Sequence, residues 1–330
     1  MPNHDVLIVG AGPAGLATAI AAGRNGLDYL VVEKGALVNS LLHYPTEMVF
    51  FTTPELMEIG GLPFTSPYDK PTRLEALRYY RRVADAFKLK VVFDETVTAI
   101  NREEGVPDAR GSFAVDLLSA RGIRRSVRAR TVVIATGAYD VPNRCGILGE
   151  ELPHVSHYYT QPHPYFRKRV VVVGGKNSAA EAALDLYRAG AMVTLVHRRP
   201  ALGDSIKYWV KPDIENRITE GSIAARLNAS VVEIRPTTVV IDRNGVREEL
   251  PADAVFLLTG YRSDNALLKA AGVEINPATL GPMFNPDTFE TNVPGLYVAG
   301  AVVAGLQSGK VFIENGRFHG EQVVKSILAR

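Results

Sequence analysis

Two stretches of the chain show the same succession of apolar and polar positions. Each begins with an apolar run, passes through a glycine-rich turn into alanine-rich positions at helical spacing, and ends in a second apolar run; the stretches are residues 5–33 and 169–199. A short apolar run bounded by glycine predicts a buried strand, and apolar positions three and four apart predict a helix. The pattern therefore predicts two strand–turn–helix–strand units.

Each unit is followed by segments that predict a small antiparallel meander, and then by a buried strand that ends in Thr-Gly. In the first half, the predicted meander strands are residues 90–100, 111–118 and 124–129, and the buried strand is residues 130–137. In the second half, the corresponding segments are residues 230–235, 237–242 and 253–260, with Asn244-Gly245 as a hairpin turn signal.

This duplication predicts an α/β fold with two Rossmann-like three-layer (ββα) dinucleotide-binding domains. The part after residue 265 is too short for a third domain, so we expect it to complete the first one. The second domain is then an insertion into the first. The predicted domains are residues 1–142 with 266–330, and residues 143–265.

Between the first unit and its meander lies a proline- and glycine-punctuated segment, residues 35–70, whose aromatic residues favour an ordered surface or a cofactor cover. The next helix is predicted to begin with a capping box formed by Thr72 and Glu75. A last helix is predicted from about residue 312. The predicted buried face of the helix after Thr72 consists of Leu74, Leu77, Tyr80, Val83, Ala84 and Phe87.

The first glycine-rich turn has the spacing G-x-G-x-x-G at Gly10, Gly12 and Gly15. These glycines serve a tight turn, close approach of a pyrophosphate and helix–strand packing, and the helix that follows presents unpaired N–H groups to phosphate. Glu33 ends the second strand, where a carboxylate accepts the ribose hydroxyls of an adenosine. The combination predicts an adenine-dinucleotide site, with a ligand-free glycine turn as the alternative interpretation.

The second turn has Gly174 and Gly175, and Ala179 fills the packing position. Lys176 stands where close backbone approach normally requires glycine. We expect the Lys176 side chain to point along the helix edge, where its ammonium reaches phosphate oxygens.

His197 follows Gly174 by 23 residues, the offset that separates Glu33 from Gly10. In place of an acid, the second site has His197, Arg198 and Arg199. These residues remove repulsion toward a 2′-phosphate and add charge-assisted donors, although arginines at a strand end also suit an ordinary solvated surface. The two sites are therefore predicted to bind FAD and NADPH respectively, so that hydride passes from nicotinamide to flavin.

Composition narrows the class of protein. The chain has 330 residues, 46% of them hydrophobic, a formal net charge of +2 and one cysteine, Cys145. This is typical of a soluble globular protein, and the charge is too small to attract nucleic acid. No apolar run approaches the roughly 20 residues of a membrane span, and neither clustered histidines nor a Cys-x-x-Cys pair indicates a metal site. The lone cysteine and a first strand too early for a secretion signal favour the cytoplasm.

Over essentially its whole length, the sequence resembles the thioredoxin-reductase-like flavoproteins, and within them the bacillithiol disulfide reductase family. The resemblance is carried by "ALVNSLLHYPTEMVFFTTPELMEIGGLPF", "GGKNSA", "SIKYW", "TGY", "ETNVPGLYVAG" and "FIENGRFHG". It implies a homodimer that reduces a low-molecular-weight disulfide with NADPH through FAD. The implied FAD site consists of Gly10, Gly12, Pro13, Ala14, Gly15, Glu33, Lys34, Asn39, Ser40, Val97, Ala135, Thr136, Gly137, Gly300 and Ala301. The implied NADPH site consists of Gly174, Lys176, Asn177, Ser178, Ala179, His197, Arg198, Arg199 and Gly260.

Departures from this family leave the catalytic residues unassigned. Thioredoxin reductases carry a Cys-x-x-Cys pair that this sequence lacks, and many bacillithiol reductases have a cysteine at the position of Ala14. Cys145 is expected to be structural, and His319 to anchor the last helix near the flavin rather than to act as an acid. Disulfide reduction would then need direct attack by the reduced flavin or an adduct with a substrate thiolate.

Two other functions stay open alongside the disulfide reductase. One is an NADPH reductase that passes single electrons to ferredoxin or flavodoxin, which basic residues could dock. The other is a flavin-binding sensor without turnover. The basic residues of the first alternative are Lys168, Arg169, Lys207 and Lys211.

Overall fold

The computed structural model describes residues 3–103 and 112–329. They form two compact units. The first unit comprises the chain up to His43, Met48–Val141 and the chain from Tyr261 onward, and the second comprises Tyr44–Glu47 and Pro142–Gly260. The chain of the second unit is thus inserted into that of the first, in the α/β class that the duplication predicts.

The strands, in chain order, are β1 Asn3–Val9, β2 Tyr29–Val32, β3 Val91–Val92, β4 Glu95–Arg102, β5 Phe113–Ser119, β6 Arg124–Ile134, β7 Val141–Pro142, β8 Val155–Ser156, β9 Arg169–Val173, β10 Met192–His197, β11 Ala224–Leu227, β12 Ser230–Ile234, β13 Thr238–Arg243, β14 Val246–Pro251, β15 Ala254–Leu257, β16 Tyr261–Arg262 and β17 Leu296–Val298. The helices are α1 Pro13–Arg24, α2 Asn39–Leu42, α3 Pro54–Met57, α4 Arg73–Ala86, α5 Asn177–Arg188, α6 Lys211–Thr219, α7 Ala266–Ala270, α8 Ile313–Gly316 and α9 His319–Leu328. Short 3-10 turns lie at His163–Tyr165, Gly300–Ala304 and Ser308–Lys310.

The sheet of the first unit combines a parallel part with a meander. Strands β3, β2, β1 and β6 are parallel neighbours in that order, and β17 is parallel to the carboxyl end of β6. The amino half of β6 pairs antiparallel with β5, and β5 with β4. The prediction of separate strands at residues 124–129 and 130–137 was wrong. The two are one strand because β6 runs from the half-exposed meander directly into the fully buried parallel sheet.

Helix α4 begins with the predicted capping box, because Thr72 and Glu75 each accept the other's backbone N–H. Its buried residues are Ala76, Tyr79, Tyr80 and Val83, whereas Leu74 is exposed, so the predicted face was partly wrong. The preceding segment explains the difference. The Tyr79 hydroxyl accepts the N–H of Ile59 and donates to the carbonyl of Leu62, and the Tyr79 ring stacks on Phe64 at 4.4 Å.

In the second unit, β11, β10, β9, β15 and β8 form a parallel sheet in that order, and β12, β13 and β14 form an antiparallel meander. Asn244 and Gly245 have φ angles of 54° and 83°, which confirms the predicted hairpin turn. In both units, parallel strands bring their carboxyl ends to one edge of the sheet, where the glycine-rich turns leave β1 and β9. Such an edge is where nucleotides bind in folds of this class.

The segment predicted as one last helix forms two helices, α8 and α9, with a break at residues 317 and 318. Arg317, at this break, donates to the carbonyls of Glu55 and Glu58. Beyond the break, a Cβ at Gly320 would lie 2.5 Å from the backbone nitrogen of Thr18, so the glycine lets α9 lie directly against α1. In the described residues, no helix combines the length and apolarity that crossing a membrane requires.

Candidate functional site

The turn between β1 and α1 is closed by backbone contacts. A Cβ at Gly15 would lie 2.0 Å from the Gly10 carbonyl oxygen, and a Cβ at Gly10 would lie 2.6 Å from the carbonyl oxygen of Ala135. A Cβ at Gly12, in contrast, would meet nothing within 4 Å. The fold itself therefore requires the first and third glycines, and the second leaves open space of the kind that an approaching ligand needs.

Helix α1 starts in a way that suits an anion. Its N-cap residue is Gly12, Pro13 follows at the first position, and this described helix has no acidic residue in its first turn. The N–H groups at the start of the helix and its dipole are then available to phosphate oxygens. These features fit the pyrophosphate of FAD.

Glu33 has a second role that the sequence did not reveal. The residue is only 6% exposed, its Oε2 accepts the N–H of Ala11 at 2.8 Å, and its Oε1 accepts the N–H of Gly35 at 2.9 Å. A carboxylate oxygen has two acceptor sites, so each can still receive a ribose hydroxyl. Glu33 thus braces the glycine-rich turn from the neighbouring strand, and no spacing in the sequence indicates these two backbone partners.

Other predicted FAD residues take part in local contacts. The ammonium of Lys34 lies 2.5 Å from a carboxylate oxygen of Asp140, and Asn39 Oδ1 accepts the N–H of Ala36 at 3.2 Å. Ser40 and Val97 are half-buried, in α2 and in β4. Of the residues after β6, Ala135 and Thr136 lie against Gly10, and Gly137 has a φ of 75° with open space where its Cβ would be.

Gly300 follows β17 at the same edge of the sheet, with Ala301 next to it. Its φ is 74°, and a Cβ there would lie 2.6 Å from the Cβ of Ala14. Its N–H donates to Nδ1 of His319 at 3.0 Å. The structure therefore brings the predicted residues 14 and 300 together, and ties the turn at Gly300 to the first residue of α9.

The turn between β9 and α5 repeats the first one with different neighbours. A Cβ at Gly174 would lie 2.7 Å from the carbonyl oxygen of Leu258, and a Cβ at Gly175 would lie 2.2 Å from the ring of His197. Lys176 is exposed at the N-cap of α5. The α5 helix, as described, also has no acid in its first turn, which again suits a pyrophosphate.

Asn177 contacts the protein rather than open space. Its Nδ2 donates to the carbonyl of Ser205 at 3.0 Å, and its Oδ1 accepts the N–H of Lys207 at 2.8 Å. The side chain thus fixes the segment around residues 205–207. Ser178 is exposed, and Ala179 is fully buried at the helix–strand packing position.

The charge of the second site comes from its two arginines. Arg198 and Arg199 are exposed, and across the described residues no carboxylate lies within ion-pair distance of either guanidinium. Burial and the two arginines lower the pKa of His197, which stays neutral at pH 7 and packs on Gly175. Gly260, at the end of the second unit, has a φ of 96°.

Cys145 does not have the surroundings of a reactive thiolate. Its Sγ lies 3.9 Å from Oγ1 of Thr259, and its N–H donates to the buried carboxylate of Glu150. Burial raises the pKa of the thiol, which keeps it protonated at neutral pH. The residue itself is exposed.

Three of the four basic residues that could dock an acidic electron carrier are paired within the second unit. Arg169 pairs with Asp253, Lys211 with Asp204 at 2.6 Å, and the largely buried Lys207 with Glu181 at 2.5 Å. Their charge is neutralised locally, which disfavours docking of ferredoxin on these residues.

Comparison with known proteins supports one family. Residues 7–300 match the pyridine nucleotide-disulphide oxidoreductase family. The chain is 40% identical over 332 residues to the bacilliredoxin reductase Bdr of Bacillus subtilis (strain 168), which covers 100% of this chain and 99% of that protein. It superposes on the bacillithiol disulfide reductase Bdr of Bacillus cereus with a TM-score of 0.96 and 38% identity, over 99% of both chains. It superposes on the reductase of the same name from Staphylococcus aureus with a TM-score of 0.93 and 37% identity, over 100% of this chain and 99% of that one. The chain therefore belongs to the pyridine nucleotide-disulphide oxidoreductase family, as an NADPH-dependent flavoprotein that uses FAD.

Proposed function

We propose that this protein reduces bacillithiol disulfide with NADPH. The observation that carries the proposal is the likeness, over the whole chain, to reductases named for this substrate. In the overall reaction, one hydride from NADPH and one proton from solvent cleave the S–S bond to give two thiols and NADP⁺. Bound FAD supplies the group that takes up the electron pair and passes it on.

The residues of the chain bind and separate the two nucleotides. The turn at Gly10, Gly12 and Gly15 cradles the FAD pyrophosphate, and Glu33 accepts the adenosine ribose hydroxyls. In the second unit, the start of α5 receives the NADPH pyrophosphate, and Arg198 and Arg199 bind its 2′-phosphate. The acid in one site and the arginines in the other determine which nucleotide binds where, because a carboxylate repels a 2′-phosphate and a guanidinium attracts it.

The chain supplies no thiol relay in this scheme. Its one cysteine is Cys145, whose thiol is kept protonated, and position 14 of the glycine-rich turn is alanine. The disulfide would then receive its electrons directly from the reduced cofactor. A thiol produced in the first cleavage would leave as a product rather than exchange with the protein.

An acceptor assay tests the proposal. Purified protein is mixed anaerobically with NADPH, and then with bacillithiol disulfide, glutathione disulfide or oxidised ferredoxin. We expect the flavin to bleach with NADPH, and only bacillithiol disulfide to restore its colour quickly, with two thiols released per NADPH. Bleaching followed by rapid reoxidation with ferredoxin alone would replace the proposal by the electron-carrier reductase, and no bleaching would favour the sensor.

We further propose that the protein is a cytoplasmic homodimer, as the family resemblance suggests. Light scattering after gel filtration measures the dimer, and a mass equal to that of one chain would contradict it. Fractionation of cells into cytoplasm and envelope measures the location.

A further inference from the structure

The Gly300 turn depends on a side chain from another element. Gly300 is the first residue of the 3-10 turn Gly300–Ala304, so its N–H has no partner within that turn. Nδ1 of His319 accepts it at 3.0 Å. Because this N–H is already used, Gly300 does not offer it to FAD as a hydrogen-bond donor.

An acceptor at Nδ1 fixes the state of the imidazole. The ring must be neutral and carry its proton on Nε2. Its ring packs against Phe289 at a centroid distance of 4.3 Å and a tilted interplanar angle of 32°, and Phe289 in turn stacks on Phe284 at 5.6 Å. The imidazole is therefore packed against an aromatic ring while its Nδ1 binds the turn.

The turn at Gly300 packs closely against both α1 and α8. On one side, a Cβ at Gly300 would lie 2.6 Å from the Cβ of Ala14 in α1, and on the other, a Cβ at Gly316 would lie 3.4 Å from the Cα of Gly300. A small displacement of Gly300 would therefore change the spacing between this turn and the pyrophosphate-binding start of α1.

We propose that His319 is a positioning residue for the cofactor: its neutral imidazole fixes the Gly300 peptide against Ala14, and so sets the distance between the two walls of the FAD site. The proposal rests on the assignment of FAD to the first unit. It does not depend on which acceptor the enzyme reduces.

Two substitutions separate the acceptor role from packing. His319→Leu keeps an apolar body and removes the acceptor, whereas the Oδ1 atom of Asn in His319→Asn can take the place of Nδ1. His4→Leu is the matched control, because His4 Nδ1 also makes a side-chain hydrogen bond, to Asp28 at 2.6 Å, but in the first strand, away from Gly300.

The measurement is FAD affinity, by titration of the deflavinated protein and flavin fluorescence, together with the visible spectrum of the bound flavin. Loss of the acceptor should weaken FAD binding roughly tenfold or more in His319→Leu, and His319→Asn and His4→Leu should stay within about threefold of the wild type. The flavin spectrum should shift in His319→Leu alone.

Equal affinity in His319→Leu and the wild type would overturn the proposal, and so would equal losses in the leucine and asparagine variants, since packing would then explain the effect. If His319→Leu does not fold, His319→Ala, which also removes the side-chain acceptor of the Gly300 N–H, is judged by the same criterion. A wild-type protein that binds no FAD would overturn the cofactor assignment as well, whereas inactivity toward bacillithiol disulfide would overturn only the proposed function.

Discussion

Substitution of Glu33 by glutamine tests whether one carboxylate braces the glycine-rich turn. Glu33 accepts the N–H groups of Ala11 and Gly35, one on each oxygen. Glutamine is nearly the same size, but it has one carbonyl oxygen and one NH2 group. One backbone N–H keeps an acceptor in Glu33→Gln, and the other faces a donor.

The size of the effect follows from this geometry. A hydrogen bond to a charged group contributes roughly 1.5–3 kcal/mol. Water cannot replace the lost partner, because Glu33 is only 6% exposed. We therefore expect local opening of the turn to become easier by about 2 kcal/mol, which corresponds to roughly 30-fold faster amide exchange.

Hydrogen–deuterium exchange of the deflavinated protein, followed by mass spectrometry, measures this opening in peptides that contain Ala11 or Gly35. The only tryptophan of the chain, Trp209, lies in the second unit. The denaturation curve followed by its fluorescence should therefore be the same in Glu33→Gln as in the wild type. Glu58→Gln is the control, since Glu58 accepts one backbone N–H, from Phe64, and glutamine can retain it. Unchanged protection at both Ala11 and Gly35 would refute the bracing role.

Four further outcomes are expected. Arg198→Ala and Arg199→Ala should each raise the KM for NADPH about tenfold and leave the KM for NADH unchanged, because only NADPH carries a 2′-phosphate; equal changes for both nucleotides would contradict the assignment. Lys176→Met should weaken NADPH and NADH to the same extent, since both have a pyrophosphate, and unchanged affinities in a binding titration would rule out the contact. Cys145→Ser should keep steady-state turnover within about twofold, because the protonated thiol takes no part in the reaction, and a collapse of turnover would reopen its role. Burial lowers the pKa of His319 from 6.5 to about 4, so the unfolded chain binds the extra proton first as the pH falls. The free energy of unfolding should therefore decrease between about pH 6.5 and 4, and His319→Asn should reduce this decrease in denaturant titrations at both pH values; an identical decrease in both proteins would argue against a buried neutral imidazole.

The predictable part of the site consists of features encoded over short distances in the chain. The glycines at 10, 12 and 15, the capping box at Thr72 and the Asn244-Gly245 turn depend on backbone conformations that few residue types allow, so a few letters identify them. The choice between an acid and arginines at the end of the second strand is equally local.

The failures of prediction lie where distant segments compete for the same surface. Leu74 has helical spacing suitable for burial, yet Tyr79 faces the core instead because Ile59 and Leu62 offer partners to its hydroxyl. His197 has the right offset for a phosphate ligand, and only the fold shows that its ring also lies against Gly175.

The sequence by itself determined the two strand–turn–helix–strand units and their insertion order, because those properties follow from local pattern and turn chemistry. It also supplied the charge difference on which the proposed sorting of the two adenine nucleotides rests. Only the tertiary structure decided that Glu33 braces the turn, that Asn177 binds the segment at 205–207 and that His319 holds Gly300. Apart from the Glu33–Gly35 hydrogen bond, these contacts join residues 19 to 30 positions apart in the chain. A buried N–H donates to whichever acceptor the packing places within reach, so composition and spacing do not specify these contacts.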